Sequence, residues 1–171
     1  MAYAQTPSYL TEEELRNLMP DFQRQVEYWN QYEEPERRSE AKAFAENWSG
    51  APTVALFLGK WAAIEETMDI YPSTIEGQVC IIGTDYTLSE VDFSLGKVLN
   101  QQIYTDGGET IIQQENYIGV VWNKEKETGV YVYHLIAPAS VPTRASWSDW
   151  RGSSRVLEQF KAAGCIAKAS K

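Results

Sequence analysis

From Gly77 onward the apolar residues of this chain alternate with polar ones, and turn-forming residues break the alternation at short intervals. A period of two marks a strand with one covered face, because successive side chains point to opposite sides. GQVCIIGTDY reads as a strand and VDFSL as a short strand or turn. KVLNQQIYT, ETIIQQENYIGVVWNK and GVYVYHLIA follow as three strand-like runs. Asp106-Gly107-Gly108 separates two of them and is a strong hairpin signal, since glycine supplies the positive φ such a turn needs. Lys124-Glu125-Lys126-Glu127-Thr128-Gly129 forms the next link, and a bend near Asn116 would let the halves of the long run 109–123 pair with different neighbours. Links this short join antiparallel strands. Pro138 and Pro142 end the sheet.

Ahead of the strands the spacing is helical. Thr11 followed by Glu14 forms a capping box. Leu15, Leu18, Met19, Phe22, Val26 and Trp29 then recur at helical intervals, with Pro20 suggesting a kink or two short helices. A polar helix over 36–48 follows. Val54, Phe57, Trp61, Ile64 and Met68 form a further stripe, which predicts a helix over 52–70. Near the end, Val156, Leu157, Phe160 and Ala163 outline a short amphipathic helix stopped by Gly164, with Ser153 or Ser154 as its cap. The expected fold is therefore α+β: N-terminal helices packed on an antiparallel meander of about four or five strands, with a short C-terminal helix. Residues 1–171 are expected to form one domain, with 1–10 as a loose tail.

Composition removes several functions. Apolar residues make up 43% of the chain, enough for a packed core, and the net charge of −9 opposes general binding to nucleic acid. No apolar run is long enough to span a bilayer, and the N-terminal residues lack a secretory pattern, so the expectation is a cytoplasmic protein that does not engage membranes. Cys80 lies in a strand, where cysteine serves as a small hydrophobe. Neither it nor Cys165 has a second ligand at metal spacing, so no metal or cofactor is expected. A cytosolic setting argues against a disulfide between them.

Charge is unevenly spread. Residues 144–171 carry six bases against two acids (Asp149 and Glu158), whereas the rest of the chain is acidic. That basic segment opens with RASWSDWRGSSR, which places Trp147 and Trp150 among Arg144, Arg151 and Arg155. Arginine offers a charged fork of donors and tryptophan a flat apolar face. Together they point to a surface that holds an acidic protein partner or a small anionic ligand, unless the rings pack inward and the arginines pair within the chain. The preferred expectation is a non-catalytic binding or assembly protein built on this surface.

The rival is a small-molecule binder or small enzyme with a pocket between sheet and helices. His134, the one histidine, and Tyr133 would line it, with Tyr131, Asn100 and Gln102 nearby. Alternation places His134 with Val130, Val132 and Ile136, and Tyr133 on the opposite face with Tyr131 and Leu135. No nucleophile or phosphate-binding motif accompanies His134, so the sequence leaves enzymatic activity open without pointing to it. Glu65, Glu66 and Asp69 read as a solvated helix face. Asp85, Glu90 and Asp92 lack the glycine and terminal glutamate of a calcium loop.

Gly59-Lys60-Trp61, ahead of the meander, resembles the G-x-W motif of lipocalins and related bilin-handling β-barrel proteins. The resemblance covers three residues. It implies an eight-stranded barrel that carries a small molecule, with the motif opening the first strand. The helical stripe instead places Trp61 on a helix as a core anchor, and the strand count falls short of a closed barrel.

Overall fold

The computed structural model describes residues 9–32, 35–48, 52–124, 127–143, 147 and 150–167. Helix α1 (Glu12–Asn30) starts at the capping box: the Glu14 amide donates to Thr11 Oγ1 (3.2 Å) and the Thr11 amide to Glu14 Oε1 (3.1 Å). It runs unbroken through Pro20. Helices α2 (Pro35–Trp48) and the single turn α3 (Pro52–Ala55) follow.

The meander of four or five strands is replaced by a closed barrel of eight antiparallel strands in chain order. These are β1 (Gly59–Ala63), β2 (Glu66–Pro72), β3 (Gln78–Asp85), β4 (Glu90–Leu99), β5 (Gln102–Thr105), β6 (Thr110–Gln114), β7 (Tyr117–Lys124) and β8 (Glu127–Ala137). Pairing of β1 with β8 closes it, with a shift of register between Lys60 and Trp61.

The expected helix over 52–70 does not form. Trp61 and Met68 lie seven residues apart, which is two helical turns but also the separation of cross-strand partners around a two-residue turn. Here they are partners across the β1–β2 hairpin. Gly59 adopts φ 141°, which no helix tolerates, and Glu65 turns the chain at φ 62°. Ile64, which a helical stripe would cover, is exposed at the hairpin tip. Similarly, Asn100 and Gln101 reverse KVLNQQIYT at φ 50° and 64°, and the long run 109–123 folds back at Glu115–Asn116 as β6 and β7.

Cross-strand registers sort the strand residues into two faces. Trp61, Ile70, Val79, Ile81, Ile103, Ile111, Ile118 and Leu135 share the inner face, and each is almost fully buried. Inner space is tight: a Cβ on Gly96 would lie 2.4 Å from Ile103 Cγ2. Phe57 and Leu58, buried just before β1, close this end, and Trp61 Nε1 donates to the Phe57 carbonyl (2.9 Å).

The outer face is clothed by helices. Phe22 and Val26 of α1 pack on Tyr117, Val121, Val130 and Val132. Gly119 makes this possible, since a Cβ there would come within 2.7 Å of the Phe22 ring. Helix α4 (Ser153–Ala162) packs against β4, and its buried residues are Val156 and Phe160. Its N-cap is Gly152 at φ 88° with no side-chain cap, not a serine.

Beyond α4, Gly164 turns the chain at φ 73° and lays Cys165 beside β3, where it bridges to Cys80 across 85 residues. Thr74 N–H to Gly164 O and Ile166 N–H to Pro72 O, both 2.9 Å, flank the bond. The two cysteines, whose pairing the sequence left open and the expected cytosolic setting opposed, are thus a disulfide. A sequence separation of 85 conceals a neighbourhood that arises only when the segment after α4 docks beside β2 and β3. In the chain-entropy picture a loop of this length has a ceiling of about 4–5 kcal/mol, of which disulfides commonly deliver about 2–4. No helix among the described residues is long and apolar enough to cross a membrane.

Candidate functional site

The inner face changes character along the barrel. Away from Phe57 and Leu58 lie the hairpin tips at Ile64–Glu65, Tyr86–Ser89 and Asp106–Glu109. There the inward parity that carried isoleucine and valine carries Glu66, Asp85, Glu90, Asp92 and Ser94. These residues, with Met68, Ile81, Glu109, Val120 and Tyr133, surround a cavity of about 360 Å³ open to solvent at the mouth. A shallower recess beside it adds Glu65, Trp122 and Tyr131.

Each carboxylate is held differently. Tyr133, buried at the cavity wall, donates its hydroxyl to Glu66 Oε2 (3.0 Å). Asp85 Oδ1 accepts from the amides of Thr87 (2.9 Å) and Leu88 (3.1 Å) and from the Thr87 hydroxyl, which lowers its carboxyl below the usual range. Glu90 Oε1 receives Arg151 Nη1 at 2.8 Å. Asp92 folds over Gly83, where a Cβ would meet its Oδ1 at 2.5 Å. Solvent still reaches Asp92, but partial loss of hydration raises its carboxyl; Glu90 and Asp85 add to the rise, and Arg155 opposes it. The phenols of Tyr133 and Tyr131 are raised by burial first and by Glu66 next. Asp92, Tyr131 and Tyr133 are thus raised by partial burial with neighbouring carboxylates adding to it, whereas Asp85 is lowered by the hydrogen bonds of its own turn.

Among the described residues no group of three His, Cys, Asp or Glu converges closely enough to hold a metal ion. The carboxylates ring the wall instead of meeting at a point. Such a ring suits a cation with volume of its own, and the aromatic faces of Tyr131, Tyr133 and Trp122 suit an apolar body attached to it.

The residues singled out from sequence separate into three places. Trp147 is buried against the outer wall, and Trp150 is half-buried with its ring edge-on to Tyr86 at 5.4 Å. Both border a flank cleft of about 290 Å³ beside Lys60, Asp69 and Tyr71. There the buried Asp69 Oδ2 accepts from the Ser140 amide (2.9 Å) and faces Lys60 Nζ (3.5 Å), tying the segment after β8 to the barrel. Burial raises the Asp69 carboxyl despite Lys60.

Arg151 and Arg155 instead reach the rim of the cup. The backbone of Arg151 pairs with the start of β4, donating to Ser89 O (3.1 Å) and accepting from Val91 N–H (3.0 Å). Arg144 lies outside the described residues. His134 is on the outer face, half-buried and stacked on Trp29 at 4.3 Å. It therefore does not share a pocket with Tyr133. Cys80 is taken up in the disulfide and offers no free thiol to His134.

Sequence reasoning missed the carboxylates of the cup. Glu66 and Asp69 were assigned to a solvated helix face, yet one lies inside the barrel and the other is buried on its wall. The available signal was parity. Glu66, Met68 and Ile70 alternate, as do Ile81, Gly83 and Asp85, so the acids continue the core rows.

A barrel sealed at one end and open at the other defines a class of protein rather than an individual. The closed eight-stranded barrel fits the small-molecule carrier that Gly59-Lys60-Trp61 implied, and the motif does open β1. Comparison with known proteins yields no match: no family model, no curated protein and no solved structure is similar enough to place the chain further.

Proposed function

We propose that the protein is a small-molecule carrier that takes an organic cation with an apolar body into the mouth of its barrel. The single observation behind this reading is the inward turn of Glu66, Asp85, Glu90, Asp92 and Glu109 around one cavity whose floor is apolar. An ammonium group brought there exchanges water for several carboxylates in a medium that screens poorly. The attached carbon skeleton gains burial against Met68, Val120 and the tyrosine rings. The cavity falls within the usual size of ligand sites.

The earlier expectation, an acidic partner held by the Arg/Trp segment, draws less support. One of its two rings is sealed against the barrel wall, and Arg151 is engaged by Glu90. A compartment that maintains the Cys80–Cys165 disulfide is favoured over the cytosol.

Calorimetric titration with phenethylamine and with 3-phenylpropionate tests the carrier reading. The amine is expected to bind, with an affinity that falls as salt is added; its carboxylate counterpart is not. The double variant Glu66→Gln/Asp92→Asn is expected to lose amine binding while remaining folded. Equal binding of both compounds, or of neither, would refute the reading.

A further inference from the structure

Two arginines stand at the rim of an anionic cup, and they are not equivalent. Arg151 is occupied: its guanidinium meets Glu90 and its backbone is stitched to β4. Arg155 lines the same cavity yet forms no ion pair within 4 Å among the described residues. Its place follows from Gly152. That residue passes so close to β4 that a Cβ would lie 2.3 Å from the Val91 carbonyl oxygen, and Arg155 Nη2 is 3.7 Å from the same point. The approach sets the first turn of α4 over the rim, next to the strand position that carries Asp92. Arg155, with no ion pair among the described residues, thus shares a cavity wall with Asp92, whose carboxyl its charge draws downward.

We infer that the ligand of the cup is an amino-acid-like zwitterion, its ammonium group among Glu66, Asp92 and Glu109 and its carboxylate on the Arg155 guanidinium. This rests on the carrier reading and narrows it. Adjacent charges of opposite sign on the protein match the adjacent charges of an α-amino acid, whose ammonium and carboxylate share one carbon. Guanidinium and carboxylate can meet through two parallel hydrogen bonds, so the rim contributes direction as well as charge. A plain amine would satisfy the cup and leave Arg155 unused. A plain acid would meet Arg155 and be repelled by the cup. The side chain of the amino acid then extends along Met68, Tyr131 and Tyr133.

Phenylalanine, phenethylamine and 3-phenylpropionate share a ring and differ in which charged groups they carry, so their titration separates the contributions. The unmodified protein is expected to bind phenylalanine about tenfold or more tightly than phenethylamine, the return of a charge-assisted contact. In Arg155→Ala the preference is expected to vanish, because phenylalanine binding weakens while phenethylamine, relieved of a nearby positive charge, binds at least as tightly. Arg151→Ala is expected to keep the preference. Arg155 is exposed, so its replacement leaves the fold intact, and an unchanged melting temperature verifies that. If phenethylamine binds as well as phenylalanine, or if Arg155→Ala preserves the preference, the inference is overturned and the carrier reading stands. Failure of both compounds to bind overturns the two together.

Discussion

The two ends of the barrel are built from the same strands and the same inward parity, yet they obey opposite rules. At the closed end Trp61, Ile70, Val79, Ile103 and Leu135 interlock in a space with no room for a methyl group on Gly96. At the open end the rows continue as Met68 and Glu66, Gly83 and Asp85, Asp92 and Glu90. Burying five carboxylates at the closed end would be prohibitive. Near the mouth they keep part of their hydration and charge the cup. The first end holds the fold together, and the second is where the chain spends inward positions on something other than packing.

Mutations sharpen or break this division. The largest effect is expected at Trp61→Ala, which empties the closed end and removes the hydrogen bond to Phe57; urea unfolding should show a loss of about 3–5 kcal/mol. Next is the Cys80→Ala/Cys165→Ala pair, expected to cost about 2–4 kcal/mol. A thiol count of zero in unreduced, denatured protein checks the bond itself. Gly119→Ala drives a methyl into the Phe22 ring and is expected to cost about 1–3 kcal/mol.

The smallest effect is expected at Asp92→Asn. The folded state holds the Asp92 proton more tightly than the unfolded chain, so the ionised group costs stability once pH rises through its folded titration, and costs nothing below the unfolded carboxylate range. The variant should therefore melt slightly higher at pH 7 and match the parent below about pH 3. Melting curves at the two pH values provide the check. If Asp92→Asn destabilised the protein as Trp61→Ala does, the two ends would not differ in kind.

The sequence was readable where a local signal was unambiguous. The capping box at Thr11, the glycine turn at 106–108 and the last helix ending at Gly164 all form. Strands were undercounted because two hairpins turn on Glu65 and Asn100–Gln101, residues at positive φ without a glycine, whereas the bend expected near Asn116 does divide 109–123 into β6 and β7. The helical stripe over 52–70 misled because cross-strand partners around a tight turn can share the spacing of helix neighbours. For the site, alternation separated Tyr133 from His134 correctly, but the supposed helix hid Glu66. The basic segment stood out in the sequence, although its arginines and tryptophans go to different places. Its arginines matter at the rim only because α4 lies beside β4, a neighbourhood that arises from long-range packing.

Closure through β1 and β8 has one more consequence. A sheet that ends presents a ladder of unpaired amides and carbonyls onto which a second chain can zip. Here the first and last strands occupy each other's margins, and where β4 runs past β5 the backbone of Arg151 pairs with its start. A strand from another chain would have to displace one of these neighbours before it could pair at that margin. Concentrated solutions are spared the strand-to-strand stacking that burdens open sheets.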